Sequence, residues 1–348
     1  MTPAALILPV VSAVAIAASP GGDLPAPSPA PNIIVILTDD QGYGDLSCYG
    51  AEDLHTPNID RMAAEGLRLT SFYAAPVCSP SRAMLLTGRY AQRVGITIFL
   101  NNPTKGLAPE EITLAEILRE RGYATGLIGK WHLGLPDEMS PIAQGFDYWA
   151  GIPLSHIRHG ETEHDVYYTR QWRTMARNKP TEIEYDYDDT KLTKRCTDEA
   201  IAFMRRSKSE PFFVYIPHTM PHTRLAASDQ FKGKSPRGLY GDVIEEIDFN
   251  VGRLVEAVRD LGMVENTWIF YTSDNGPWLS KSKGFVDGDL PEHHGGSAGP
   301  LRSGKVSTWE GGVRVPAIAW APGRVPAGEV CSNLAATIDL LKTFAVLA

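Results

Sequence analysis

The sequence predicts an α/β fold built on a large, doubly wound and mostly parallel sheet that is flanked by helices. The run Ile33–Leu37 is rich in β-branched residues and apolar on both faces, which is typical of a central strand covered by helices. Strand-like runs then alternate with amphipathic helical patterns, as a parallel sheet requires. Polar clusters follow four of the runs, and open α/β sheets bind ligands at the carboxyl ends of their strands.

The remaining elements are predicted from apolar period, caps and breakers. Further strands are expected at 124–128, 211–216, 267–271 and 315–320, and helices after Thr56, after Thr113, at 193–207, at 240–261 and at 335–348. Thr113 and Glu116 form a capping box, and Gly122 ends that helix. The segment 145–189 has no clean period and is expected to form loops over the site.

Composition limits the class of protein. The 348 residues are 43% hydrophobic and 21% charged, which is ordinary for one large globular domain. The formal net charge is -8 and no Lys/Arg-rich run offsets it, so a nucleic-acid partner is not expected. Any anionic substrate must therefore be held by local positive charge.

The amino-terminal region has the pattern of an export signal. An apolar run covers 4–18 and ends in small residues, so residues 1–19 are predicted to be a signal peptide and the protein to be periplasmic or secreted. An uncleaved membrane anchor is the less favoured alternative, and stable membrane insertion is not expected. Residues 20–31 form a Pro-rich linker, and residues 32–348 form the catalytic domain.

The segment 77–89 places a thiol beside a predicted helix start. Ser79 is expected to cap that helix, Pro80 to take its first position and Gly88 to end it. Cys78 would then lie at the positive helix end near Arg82, which predicts a lowered thiol pKa and an oxyanion substrate. A buried, inert cysteine is the alternative. A cysteine-phosphatase loop is disfavoured because it needs five residues between Cys and Arg, and only three are present.

The other cysteines do not form a recognisable framework. Cys48, Cys196 and Cys331 are scattered and no Cys-x-x-Cys pair occurs, so neither a zinc site nor a set of disulfides is predicted. The sequence is compatible both with a disulfide between two of these three thiols and with three free thiols.

Four strand ends supply the candidate site residues. They are Asp39 and Asp40, Lys130 and His132, His218 and His222, and Asp274 and Asn275. Each Asp or Asn pair alone is commonly a turn or a cap. Together, however, their oxygens make a hard anionic set suited to Ca²⁺ or Mg²⁺ and poor for zinc. The Lys, His and Arg82 side chains would supply positive charge and proton transfer around an oxyanion.

Several motifs in order resemble the type I sulfatases of the alkaline-phosphatase-like superfamily, over about residues 32–347. They are the first-strand Asp-Asp, Cys-Ser-Pro-Ser-Arg with Leu-Thr-Gly-Arg at 78–89, the Gly-Tyr-x-Thr-x-x-x-Gly-Lys-Trp-His-Leu-Gly block at 122–134, the His-rich strand end at 218–222, Ser-Asp-Asn-Gly at 273–276 and Gly-Lys to Glu-Gly-Gly at 304–312. The resemblance implies a sulfuric ester hydrolase of the arylsulfatase type that cleaves sulfate from an aryl or carbohydrate sulfate. It also implies that a maturation enzyme converts Cys78 to formylglycine.

The resemblance also implies roles. Asp39, Asp40, Asp274, Asn275 and the modified Cys78 would hold Ca²⁺, with Mg²⁺ as the alternative ion. Arg82 would orient the aldehyde hydrate, Lys130 and Lys305 would bind sulfate, His132 would take a proton, and His222 would contact the sulfate or leaving group with His218 behind it. One hydrate hydroxyl would attack sulfur, and deprotonation of the other would expel sulfate.

Two other functions stay open from the sequence. A phosphodiesterase or phosphonate hydrolase of the same superfamily could use much of this site, and a binding protein for sulfated glycans could keep the pocket without turnover. From the resemblance, the family's smaller antiparallel C-terminal subdomain is expected to be absent from this chain. The last predicted helix, 335–348, is therefore expected to expose an apolar surface.

Overall fold

A computed structural model describes residues 29–100, 102, 104–155, 171–177, 179, 181–279 and 295–348. The predicted signal peptide 1–19 and residues 20–28 of the linker lie outside the described residues, as do 156–170 of the predicted loop segment. No helix in these ranges is long and apolar enough to cross a membrane.

One 11-stranded sheet organises the described part of the chain. Its strands are β1 Asn32–Thr38, β2 Leu67–Tyr73, β3 Ala124–Ile128, β4 Tyr148–Gly151, β5 Gln171–Ala176, β6 Glu182–Tyr185, β7 Phe212–Pro217, β8 Thr267–Ser273, β9 Arg314–Trp320, β10 Glu329–Cys331 and β11 Ala335–Ala336. The spatial order is β10-β2-β9-β8-β1-β7-β3-β4-β5-β6, with β11 also on β2. The central run from β8 to β4 is parallel, whereas β9, β5 and β6 pair antiparallel.

Helices cover both faces of this sheet. They are α1 Pro57–Glu65, α2 Cys78–Thr87, α3 Leu114–Glu120, α4 Leu192–Arg206, α5 Gly238–Asp260, α6 Glu310–Val313 and α7 Asp339–Leu347, with 3-10 turns at Ser47–Tyr49, Asp137–Met139, Asp189–Lys191 and Val264–Asn266. One core lies between alternate β1 residues such as Ile34 and helices α1, α4 and α5. The other lies between residues such as Val35 and helices α2, α3 and α7. The predicted doubly wound, mostly parallel fold is therefore confirmed.

Strand β1 is the centre of the sheet because both of its faces and both of its edges are covered. All seven residues are buried. Val35 pairs with Tyr215 on one side and with Phe270 on the other. A strand in this environment needs side chains that are apolar on both faces, which explains the continuous β-branched run. The polar residues that follow it are thereby fixed at the middle of the carboxyl edge.

The structure differs from the sequence prediction in several regions, and strands β2 and β10 were not predicted. Part of the segment expected to be loops, 145–189, forms β4, β5 and β6 and extends the sheet at one end. The last helix begins at Asp339 rather than at Ala335, because Ala335–Ala336 pairs with β2. Leu340 and Phe344 of that helix are buried, and Val346 is exposed.

Candidate active site

The four polar clusters meet at one edge of the sheet. Strands β8, β1, β7 and β3 are parallel neighbours, so their carboxyl ends lie side by side. The backbone N–H of Asp274 donates to the Thr38 carbonyl over 3.0 Å, which joins the ends of β8 and β1 directly. The backbone N–H of Lys130 donates to the Pro217 carbonyl over 2.8 Å, which joins the ends of β3 and β7. The topology thus gathers residues that are far apart in sequence.

The acidic side of this site consists of buried oxygen donors. The backbone N–H of Asp40 donates to Asp274 Oδ1 over 3.2 Å, and Asn275 Nδ2 donates to Asp40 Oδ1 over 2.7 Å. Asp39 Oδ1, Asp40 Oδ2 and Asn275 Oδ1 are buried without a hydrogen-bond partner among the described residues. Buried oxygens of this kind need a partner, and hard oxygens are the ligands of Ca²⁺ and Mg²⁺. The donor set therefore fits a hard divalent cation.

His222 lies at the same corner. Ligand atoms of Asp39, Asp40 and His222 lie within 4.8 Å of one another. His222 Nε2 is 3.6 Å from Asp40 Oδ2, and its Nδ1 is 2.7 Å from the Thr223 carbonyl oxygen. Because a carbonyl oxygen only accepts, Nδ1 carries the donated proton and Nε2 faces the carboxylate.

Three cations pair with the carboxylates in the site. Arg82 Nη2 lies 2.7 Å from Asp274 Oδ2 and 3.3 Å from Asp39 Oδ2, Lys130 Nζ lies 2.6 Å from Asp39 Oδ2, and Lys305 Nζ lies 2.6 Å from Asp40 Oδ1. All three side chains are at most 4% exposed. Buried charges persist only when they are paired or hold an ion, so this site is built to balance charge away from water. The site thus brings together Arg82, Lys130 and Lys305, the lysine and arginine side chains expected there from the sequence.

Burial and neighbouring charge set the pKa values of the acids in opposite directions. Burial disfavours the charged form of Asp39, but Lys130 and the other positive groups outweigh it and hold the pKa of Asp39 well below its usual range. Burial and the Asp39 charge raise the pKa of Asp40, and they raise the pKa of Asp274 to about 7. A bound cation would stabilise the charged forms of the latter two.

Cys78 is the first residue of α2, and its environment differs from the prediction. Val77 precedes the helix, Ser79 makes no cap and Pro80 lies inside the first turn; Gly88, with φ of 62°, ends the helix as predicted. The thiol is 2% exposed, and burial raises its pKa despite Lys130 and Lys305. The predicted lowering of the thiol pKa is therefore wrong. As encoded, the side chain is a poor nucleophile at neutral pH.

His132 is the base nearest to Cys78. Its Nδ1 lies 3.3 Å from Cys78 Sγ, and its Nε2 lies 3.0 Å from the Leu100 carbonyl oxygen. Nε2 therefore donates to the carbonyl, which leaves the Nδ1 lone pair facing position 78. Burial and the nearby Lys130 and Arg82 hold the pKa of His132 well below its usual range. The imidazole is neutral and can accept a proton.

Lys305 reaches the site on a segment fixed by its backbone. Its N–H donates to the Pro277 carbonyl over 2.9 Å, and the N–H of Val306 donates to the Pro76 carbonyl over 2.8 Å. Val306 has a φ of 72°, a strained conformation for a β-branched residue. The hydrogen bonds connect this segment to the chain just before Cys78 and just after Asp274, which places Lys305 between them.

His218 is placed differently. It follows β7 and is 1% exposed, and neither ring nitrogen has a hydrogen-bond partner among the described residues. Burial lowers its pKa to about 4, so the ring is neutral. The described contacts do not connect it to the carboxylates.

Sequence reasoning missed two residues of this region. Trp278 lies three residues beyond Asn275, beside His222 and Lys305. Asp45 is buried and accepts hydrogen bonds from Gly42 N–H, Ser297 N–H and the Tyr240 hydroxyl, which fixes the loop after Asp40. Both residues could have been identified from the sequence by their positions, which are just after two of the strand-end clusters.

The site lies at the edge of a parallel sheet and combines hard oxygen donors, buried cations and a cysteine at a helix start. It is therefore a buried, charge-paired site with the oxygen donors for a hard cation and with a thiol beside them. The chain belongs to the sulfatase family, whose profile matches residues 31–348.

Known relatives agree with this family. The chain is 41% identical over 338 residues to the N-acetylgalactosamine-6-sulfatase of Sus scrofa, covering 93% of this chain and 63% of that protein. It is 34% identical over 429 residues to the steryl-sulfatase of Mus musculus, covering 99% of this chain and 67% of that protein. The crystal structure of Ps i-CgsB in complex with k-i-k-neocarrahexaose has a TM-score of 0.78 at 33% identity and covers 91% of this chain and 72% of that one. The chain thus spans less than two thirds of the first relative.

All four cysteines lie in the described ranges, and each is a free thiol. The sequence predicted no disulfide framework, and the positions of the four cysteines are consistent with that prediction. Cys78 is the cysteine that adjoins the charged site.

Proposed function

We propose that this chain is a sulfuric ester hydrolase of the arylsulfatase type that removes sulfate from a sulfated carbohydrate. The observation that carries the proposal is the position of Cys78, which is buried at a helix start with His132 Nδ1 3.3 Å from its Sγ. Family membership supports the reaction class, and relatives named for N-acetylgalactosamine-6-sulfate and a carrageenan-type oligosaccharide complex support a carbohydrate substrate.

Two groups complete the site. We propose that a maturation enzyme converts Cys78 to formylglycine, whose hydrate supplies one hydroxyl for attack on sulfur and a second for release of sulfate. We further propose that Asp39, Asp40, Asp274, Asn275 and the modified residue 78 hold Ca²⁺, or alternatively Mg²⁺, which supplies Lewis acidity. The unpartnered oxygens of Asp39, Asp40 and Asn275 support this assignment.

The cationic side chains bind and orient the substrate. Arg82 Nη1 donates to the Lys130 carbonyl over 3.0 Å, so its guanidinium is fixed beside position 78 and orients that residue. Lys130 and Lys305 hold sulfate oxygens and stabilise the negative charge that grows during transfer. Because all three are buried, water does not screen these contacts.

The two histidines move protons. The neutral His132 accepts a proton at Nδ1 from the group at position 78, since its lowered pKa keeps that lone pair available. His222, whose Nε2 faces the carboxylate corner, contacts the sulfate or the leaving alcohol. Overall the S–O bond to the alcohol breaks, water is consumed, and the alcohol and sulfate leave.

We also propose that residues 1–19 direct the protein to the periplasm or outside the cell and that residues 32–348 form its catalytic domain. Sequencing the amino terminus of protein recovered from the periplasm and medium tests this. A start after about residue 19 is expected, whereas a retained residue 1 on membrane-bound protein would favour the anchor.

Paired esters test the proposed reaction. N-acetylgalactosamine 6-sulfate and 4-nitrophenyl sulfate are compared with the matching phosphate mono- and diesters, using wild type, Cys78→Ala and the control Cys48→Ala. Sulfate release by wild type and Cys48→Ala, but not by Cys78→Ala, is expected. Preferred cleavage of phosphate diesters would instead support the phosphodiesterase or phosphonate hydrolase, and glycan binding without turnover would support a binding protein.

A further inference from the structure

An indole lies at the outer end of the charged pocket. Trp278 follows Gly276 and Pro277 directly after the Asp274-Asn275 pair. Lys305 Nζ lies 5.0 Å from the centroid of its ring, and the His222 ring lies 6.3 Å away at an interplanar angle of 68°. Trp278 therefore contacts one proposed sulfate ligand and one proposed leaving-group contact at the same time.

The exposed fraction of the side chain increases from Lys305 and His222 to Trp278. The Lys305 and His222 side chains are 4% and 5% exposed, Trp278 is intermediate, and the next residue, Leu279, is 49% exposed. The indole therefore extends from the buried charges toward the protein surface. An alcohol esterified to a sulfate held between Lys305 and His222 would therefore lie next to the ring that both side chains contact.

The backbone that carries the indole is tightly packed. A Cβ added at Gly304 would lie 2.3 Å from the Pro277 carbonyl oxygen, and one added at Gly296 would lie 2.7 Å from Pro277 Cβ. Neither position has room for a side chain, and the Lys305 N–H also bonds to Pro277. Trp278 is therefore held on a fixed backbone, as a side chain that orients a substrate must be.

We infer that Trp278 is a specificity-determining residue whose indole binds the ring that bears the sulfate, with a pyranose as the preferred class of ring. A pyranose presents a face of C–H groups that packs on an aromatic surface, whereas its hydroxyls stay toward water. An acyclic alkyl sulfate has no such face and gains less from the indole. This inference rests on the proposed function, because it assumes that sulfate occupies the pocket at Lys305.

The test separates ring binding from sulfate binding. KM and kcat are measured for N-acetylgalactosamine 6-sulfate with wild type, Trp278→Phe, Trp278→Ala and Trp309→Ala, and inorganic sulfate is used as a competitive inhibitor of each. Trp309 is the matched control, since it is 52% exposed and packs on Arg302. We expect Trp278→Ala to raise KM about tenfold with a smaller change in kcat and to leave the inhibition constant of sulfate within about twofold, while Phe restores most of the affinity.

The outcomes distinguish this inference from the proposed function. An unchanged KM in Trp278→Ala overturns the inference because the indole would then not contribute to substrate binding. An equal rise in KM and in the sulfate inhibition constant also overturns it, because the indole would then act only through Lys305. If wild type releases no sulfate from any ester, the proposed reaction fails. Calorimetric binding of the intact sugar sulfate to wild type and Trp278→Ala then still decides the role of the indole, since equal affinities contradict it.

Discussion

Two buried histidines near the sheet edge show how single residues acquire different roles from one physical effect. Burial lowers the pKa of both His132 and His218. His132 also has the Leu100 carbonyl on one side and Cys78 on the other, which fixes its tautomer and aims its lone pair. His218 has no such hydrogen bonds among the described residues, so its burial affects stability rather than proton transfer.

His218 should therefore make folding sensitive to acid. Its pKa is about 4 in the folded protein and about 6.5 when unfolded, so between these values the unfolded chain binds more protons. Stability present above about 6.5 is thus lost as the pH falls through about 4, by up to about 3 kcal/mol.

Urea unfolding at several pH values measures this loss. His218→Leu removes the titrating group and should flatten the acid side of the stability curve, while the exposed control His55→Gln should leave it unchanged. Parallel curves for wild type and His218→Leu would assign the acid sensitivity to other groups.

The residues of the site differ in how far sequence could predict them. Asp39, Asp274 and Lys130 were predicted because they follow strong apolar runs, and strand ends share an edge. Lys305 was identified only from family resemblance, since it follows no strand and reaches the site by a loop. The thiol pKa of Cys78 was predicted in the wrong direction because burial, which dominates it, cannot be read from a local motif.

At the scale of elements, helix α1 is capped by a different helix. Thr56 precedes α1, but its hydroxyl bonds to Ser47 and Asp60 and makes no cap. The Asp248 carboxylate on α5 instead accepts from the backbone N–H groups of Asn58 and Ile59 over 3.2 and 2.8 Å. A carboxylate at a helix start satisfies orphan donors and interacts favourably with the helix dipole.

Loss of this contact should weaken the packing of α1 on α5. Asp248→Ala leaves the N–H groups of the half-buried Asn58 and the buried Ile59 without this acceptor and is expected to lower the free energy of unfolding by about 2–3 kcal/mol. Asp260→Ala, at the exposed end of the same helix, is the control and should change it by less than about 0.5 kcal/mol. Chemical denaturation measures both variants, and equal effects would show that the Asp248 contact contributes nothing specific.

The strands that sequence failed to predict lie away from the centre of the sheet. β6 is exposed along its length, and β2 alternates buried with half-buried residues such as Arg68 and Ser71. Their local pattern resembles that of loops, because pairing with a neighbouring strand stabilises them rather than their own apolar content. For β6 that neighbour is β5, the preceding strand, and for β2 it is the distant β9. The central strands are buried on both faces, so their sequences are continuous apolar runs that predict strands.

At the scale of the whole molecule, the sheet brings acids from both ends of the domain into one buried cluster. Asp40 and Asp274 are 234 residues apart and joined by a hydrogen bond. Burial first, and then the neighbouring Asp39 charge, raise the pKa of both carboxyls, because closing the fold places acids together away from water. An ion that binds only the folded cluster should therefore stabilise the entire domain.

Chelation should accordingly lower the melting temperature. An ion present at about 100 times its dissociation constant stabilises the fold by about 2.7 kcal/mol, and removing it should lose that amount until Ca²⁺ or Mg²⁺ is restored. Asp40→Asn should abolish most of this response, whereas the exposed control Asp229→Asn should retain it. Scanning calorimetry with and without chelator decides; identical melting of wild type in both conditions would contradict a metal-binding role.

The chemical state of residue 78 tests the central claim most directly. The tryptic peptide 69–82 is analysed by mass spectrometry in protein made with and without a formylglycine-generating enzyme, and sulfate release is measured on the same preparations. We expect activity to rise in proportion to the fraction of peptide in which position 78 has lost its sulfur. Full activity in protein whose Cys78 thiol is intact would contradict it.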